Sequence, residues 1–166
     1  TMSTFKRGLV SLAVAAALAA GAAHAQISDN VVRIGVMNDQ AGTYADLAGP
    51  GSVVAAKMAI EDFKAAAKGM KVEVLVGDHQ NKADVGSNIA RQWYDVDKVD
   101  VIVDVPNSGV ALAVNQITKD KGKAFLVSGA ASSDLTGKAC SPNTIHWTYD
   151  TWMLANGTGN AIVKTG

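Results

Sequence analysis

The chain has 166 residues, 48% of them hydrophobic and 5% aromatic, enough for one compact domain with a sizeable core. Its 15 basic and 15 acidic residues balance, and they form no basic stripe and no block of like charge. That excludes nucleic acid and an anionic membrane surface as the main partner.

Residues 1–25 read as an export leader. Lys6 and Arg7 give a positive start, and residues 8–23 are uncharged and rich in alanine. Ala23-His24-Ala25 then offers the small residues that a leader peptidase accepts, so cleavage is expected between Ala25 and Gln26. The apolar run is shorter than the roughly 20 residues needed to cross a bilayer. No cysteine follows the cut, so no lipid anchor is expected there. The mature chain is expected in an outer compartment, the periplasm of a bacterium. Cys140 is the only cysteine, so no disulfide can close within this chain. Either it is buried and inert, or its partner lies in other sequence.

Residues 31–37 are apolar and rich in β-branched side chains, which suits a buried strand. A glycine-bearing loop covers 39–51. Val53, Ala56, Ile60, Phe63 and Ala67 then recur every three or four residues, the stripe of a helix packed on a sheet, with Gly69 ending it. The second strand spans 72–76 and leaves through a loop at 78–81. A second helix carries Val85, Ile89, Trp93 and Val96, and the third strand is expected over 99–105. Pro106-Asn107-Ser108-Gly109 turns into a third helix bearing Val110, Val114 and Ile117. Residues 124–127 form a fourth strand, with 128–133 as its exit loop. Residues 150–164 read as an amphipathic helix that stops at Lys164-Thr165-Gly166. Strand and helix in regular alternation predict an α/β fold, a doubly wound parallel sheet with helices on both faces.

In such sheets ligands bind outside the carboxyl ends of the strands. Two exit loops stand out there. Asn107-Ser108-Gly109 opens a helix, so a hydroxyl and several backbone N–H groups share the positive end of the helix dipole. Ser128-Gly129-Ala130-Ala131-Ser132-Ser133 is small and polar, which lets a ligand approach the backbone. The pair suits a carboxylate held by hydroxyl and amide donors, without metal or arginine. The alternative is that Ser108 and Ser132 or Ser133 only cap their helices. Tyr44, Tyr149 and Trp152 are aromatics near strand ends, open to either a core or a ligand role, while Trp93 and Trp147 are expected to pack.

Other chemistry finds little support. His79 follows Asp78 at a strand end, but no second His or Cys lies at ligand spacing, so no metal or other cofactor is expected. No G-x-S-x-G, phosphate loop or dinucleotide fingerprint occurs, and no nucleophile–base pair that would make the chain an enzyme.

The order of these motifs is familiar. Ile34-Gly35-Val36, the loop Ala41-Gly42-Thr43-Tyr44 and the helix segment Ala59-Ile60-Glu61-Asp62-Phe63 come first. Pro106-Asn107-Ser108, Ser128-Gly129-Ala130-Ala131-Ser132 and the run from Asn143 to Asp150 follow. From residue 31 to 166 the chain resembles the N-terminal part of the type I periplasmic binding proteins, the substrate-binding proteins of branched-chain amino-acid-type ABC importers. The resemblance implies a two-lobe protein that closes on a small carboxylate and delivers it to a membrane permease. Residues 26–147 would form the N-terminal lobe, and 148–166 the crossover and first helix of a second lobe whose remainder is missing. It further implies that Ser108 and Ser132 hold the carboxylate, with Asn107 and Ala131 in the same loops. A backbone carbonyl near Ala130 would assist an ammonium group, and the stretch from Tyr44 to Leu47 would meet the ligand side chain. The run Trp147-Thr148-Tyr149-Asp150 in the crossover looks more like relatives that take aromatic or other carboxylates, and Tyr149 in it would contact the ligand. The same fold also serves receptor ligand-binding domains.

Overall fold

The computed structural model describes residues 28–165, so the expected leader and its cleavage site lie outside the described residues. The apolar runs form strands β1 (Val31–Asn38), β2 (Lys71–Asp78), β3 (Val101–Asp104), β4 (Ala124–Val127) and β5 (Thr144–His146). They make one five-stranded sheet in the order β2-β1-β3-β4-β5, and every pair is parallel. Helices α1 (Ala45–Ala48), α2 (Pro50–Phe63), α3 (Ala83–Asp95), α4 (Ser108–Lys121) and α5 (Thr151–Thr165) connect and follow the strands. The α/β fold is thus the expected one.

Alternation along the strands divides the side chains between two faces. On one face Met37, Ile102, Phe125 and Val127 meet Trp93 and Tyr94 of α3 and Val110, Val114 and Ile117 of α4 in the core. Gly35 and Gly77 make room for the Trp93 indole, since a Cβ on them would lie 2.4 Å and 2.8 Å from its ring. The Tyr94 hydroxyl is shared with Thr118 at 3.0 Å, and burial pushes its pKa up to about 12.

The opposite face carries Val32, Ile34, Val36 and Val103, and among the described residues the helix that covers it is α2, which has no buried residue. Two open hollows of about 480 and 550 Å³ lie along it, with almost entirely apolar walls. The expected stripe on α2 is therefore only half in contact. Val53, Ala56 and Ile60 are partly buried, whereas Phe63 is exposed beneath the Lys68 ammonium, 3.4 Å from its ring centroid. Ala67 lies beyond the helix, because Lys64 turns left-handed at its end (φ 55°).

The run at 143–150, which resembles the strand and crossover of the family, supplies β5 at the sheet edge as expected. Other local expectations need correction. The third strand stops at Asp104 because Asp104 and Val105 both take left-handed backbone, φ 82° and 54°. Trp147, expected to pack, is 76% exposed, since it leaves the edge strand over the open face. Cys140 is exposed, so burial does not explain its lack of a partner. Helix α5 is exposed along its whole length, Trp152 and Val163 included, as its position beyond the sheet edge dictates.

Candidate functional site

Strand β1 feeds α2 on one face of the sheet, and its neighbour β3 feeds α4 on the other. Their exit loops part at this switch point and leave a crevice at the carboxyl ends, the usual ligand position in open parallel sheets. The sequence dictates the opening locally. Pro106 cannot continue a strand ladder, and Asn107 caps α4 by accepting the Val110 N–H at 3.1 Å.

A cavity of about 380 Å³ occupies this crevice, and Tyr44, Leu47, Asn107, Ser108, Ala131 and Tyr149 help to line it. The Ser108 Oγ accepts the Ala131 N–H at 3.2 Å, which ties the β3 and β4 exit loops together. Its own hydroxyl proton remains available to an acceptor. Gly129 makes the tie possible, because a Cβ there would lie 3.0 Å from the Pro106 Cα. The walls named here carry no charged side chain. A small anion there would meet hydroxyl and amide donors, with aromatic and aliphatic surface alongside.

Two expected site residues stand apart. Ala130 is buried, and its carbonyl accepts a 2.6 Å hydrogen bond from His146 Nε2, which therefore carries the proton. The Ser132 Oγ accepts the Asp134 N–H at 3.3 Å, so for Ser132 the capping alternative describes the geometry. Neither residue lines the cavity. For Ser108 the cap is supplied by Asn107 instead.

Sequence reasoning missed the residue that shapes the cavity's outer wall. Asp39 is buried, and its Oδ1 accepts the Gly42 N–H at 2.9 Å while Oδ2 accepts the Tyr44 N–H at 3.0 Å and the Asn81 amide. It thereby folds the loop that presents Tyr44 and Leu47. The signal was in the sequence, as an Asp directly after a strand and three residues before a glycine is an Asx-turn pattern. The Tyr44 amide first, and the Gly42 and Asn81 donors with it, hold the carboxyl below its ordinary 3.8, against the opposing effect of burial. The stabilisation is therefore complete above pH 3.8 and is lost as the pH falls from there through the lowered value. Asp39→Asn is expected to lower the melting temperature at neutral pH, with the gap closing as the pH falls below 3.8. A gap of constant size across acid melts would remove Asp39 from this role.

His79 sits below the same loop, fully buried. Its Nδ1 accepts the Asn81 N–H at 3.0 Å, and burial holds its pKa below 6.5, so it is a neutral packing group. Among the described residues no group of three His, Cys, Asp or Glu side chains is placed to hold a metal. No helix among them is long and apolar enough to cross a membrane.

A parallel α/β lobe with a polar cleft between the exit loops of β1 and β3 has the type I periplasmic binding protein-like fold. The family model described as periplasmic binding protein matches residues 31–166, and the chain belongs to that family. A periplasmic binding protein from Burkholderia mallei is 43% identical, with a TM-score of 0.78 over 82% of this chain and 36% of that one. A branched chain amino acid ABC transporter periplasmic ligand-binding protein from Burkholderia xenovorans is 41% identical, with a TM-score of 0.75, covering 81% and 36% of the two chains. A solute binding protein of an ABC transporter from R. palustris, solved with benzoate, shares the fold at 22% identity and a TM-score of 0.75, over 82% and 38%. The chain thus spans only about a third of the length of these relatives. Among curated proteins, none matches the sequence.

Proposed function

We propose that this chain is the N-terminal lobe of the solute-binding component of an ABC importer. It works in the periplasm after removal of residues 1–25, and the complete protein delivers its ligand to a membrane permease. Residues 26–147 form the lobe, and 148–166 lead into a second lobe that closes on the ligand about a hinge. The role is binding and transfer, not catalysis.

The ligand is a small carboxylate with an apolar body. The observation that carries this reading is the cavity at the switch point, where the free Ser108 hydroxyl proton faces a site walled by Tyr44, Leu47 and Tyr149. Ser108 serves the carboxylate, while the N–H of Ala131 orients Ser108 from the next loop. Asn107 holds the helix start that brings the N–H groups of α4 to the same end. Ala130 and Ser132 support the loop rather than touch the ligand. Branched-chain amino acids fit the apolar wall. Two tyrosines beside the cavity favour aromatic acids as a second class, as in the R. palustris relative solved with benzoate.

Thermal-shift and calorimetric titration of the complete protein with leucine, isoleucine, benzoate and phenylacetate tests this. At least one is expected to bind, and Ser108→Ala is expected to weaken it at least about 10-fold. That is the loss of one hydrogen bond to a charged group, worth about 1.5–3 kcal/mol. Binding unchanged in Ser108→Ala would place the carboxylate elsewhere.

A further inference from the structure

The switch-point cavity has an inner annex. A second hollow of about 260 Å³ shares Leu47, Pro106, Gly129 and Tyr149 with the first, and it adds Ser52, Asp104 and Ser128. The shared residues form the middle of one cleft. Ser108 and Ala131 stand at its outer end, and Asp104 and Ser128 at its inner end, where they also border the open hollow of about 480 Å³ beside α2.

The two ends have opposite hydrogen-bonding character. At the inner end Asp104, only 6% exposed, accepts the Ser128 hydroxyl on Oδ1 at 2.8 Å and the Asn38 amide on Oδ2 at 3.0 Å. Two oxygens offer about four lone-pair sites, so two such bonds leave acceptor capacity. The Ser128 hydroxyl has donated its proton to Asp104 and can otherwise only accept. The backbone is held unusually here, with left-handed φ of 82° at Asp104 and 54° at the β-branched Val105. Residues other than glycine adopt such angles at a cost, and neighbouring structure must enforce them. In this chain they end β3 where Asp104 reaches both the Asn38 amide and the annex.

We propose that Asp104 and Ser128 form a specificity subsite that accepts a hydrogen bond from a hydroxyl or ammonium group at the ligand end remote from its carboxylate. The inference rests on the carboxylate reading given above and narrows it. The preferred ligand is bipolar, an acceptor anion at the Ser108 end and a donor at the Asp104 end. A ligand with a plain hydrocarbon end would strip water from a buried carboxylate without replacing its hydrogen bonds, which disfavours it.

Matched probe pairs on the complete protein test the proposal by calorimetry. The pairs are benzoate with 4-hydroxybenzoate, phenylacetate with 4-hydroxyphenylacetate, and hexanoate with 6-hydroxyhexanoate and 6-aminohexanoate. In at least one set the donor-bearing member is expected to bind 10-fold or more tightly, and the aliphatic set separates hydroxyl from ammonium. Asp104→Leu is expected to abolish or reverse that preference. Asp104 also bridges β1 and β4, so Ser128→Ala, which leaves the carboxylate in place, serves as the second variant. It is expected to shrink the preference. Equal affinity within every pair in the unaltered protein, or a preference untouched by both variants, overturns the subsite. If no member of any pair binds, the subsite falls, while the carboxylate reading stands or falls separately on the leucine and isoleucine titrations.

Discussion

Trp93→Ala is expected to destabilise this chain by about 3–5 kcal/mol, the usual cost of emptying a large aromatic site in a core. The indole is 6% exposed and lies in the bed formed by Gly35 on β1 and Gly77 on β2. No other side chain of those two residues can move in to fill the space, because neither has one. The cavity should therefore persist, which puts the cost toward the upper part of the range. Urea denaturation followed by circular dichroism would measure it, and a fall in melting temperature of about 10 °C should accompany it. Gly35→Ala provides the converse test, since its Cβ would lie 2.4 Å from the indole and force the ring or the strand to shift. A loss under about 1 kcal/mol in Trp93→Ala would mean that the ring does not hold α3 to the sheet.

The alternation of elements was legible because each strand run and each helical stripe is local. Residues 31–37 and 124–127 are short β-branched or aromatic runs between turn signals, and they became β1 and β4 almost unchanged. Less visible was how well each helix would be covered. The stripes on α2 and α3 look alike in sequence, yet α3 buries Trp93 and Tyr94 while α2 buries nothing. Coverage depends on what lies over a face, and periodicity reports only which face is apolar. Trp147 failed for the same reason, as an aromatic beyond an edge strand looks no different from one in a core.

The candidate site divides along a similar line. Ser108 and Asn107 could be placed because a Pro-Asn-Ser-Gly turn into a helix fixes its own geometry within a few residues. The contacts that build the rest span long distances in sequence, Asn38 to Asp104, Asp39 to Asn81 and Asp104 to Ser128. Single-sequence patterns carry no trace of such pairs. Ser132 and Ala130 illustrate what composition leaves open. Their loop has the right composition, but the chain bends so that one hydroxyl closes a turn and one carbonyl meets His146.

The open cleft implies a second large effect. This chain alone is expected to bind its carboxylate no better than millimolar, and the complete protein micromolar or tighter, a difference of about 1,000-fold or 4 kcal/mol. Two or three hydrogen bonds from this lobe give some 3–8 kcal/mol gross, from which the cost of immobilising the ligand must be subtracted. Little here excludes water, since Leu47 is 74% exposed and Tyr149 43%. In contact with solvent, a carboxylate exchanges water for protein donors at small net gain. Closure of a second lobe would bury both side chains, dry the donors and add contacts, and each of those steps strengthens the same hydrogen bonds. Isothermal titration of both polypeptides with the same ligand measures the difference. Micromolar binding by this chain by itself would show that the Ser108 cleft is already a finished site, and lobe closure would then serve recognition by the permease rather than affinity.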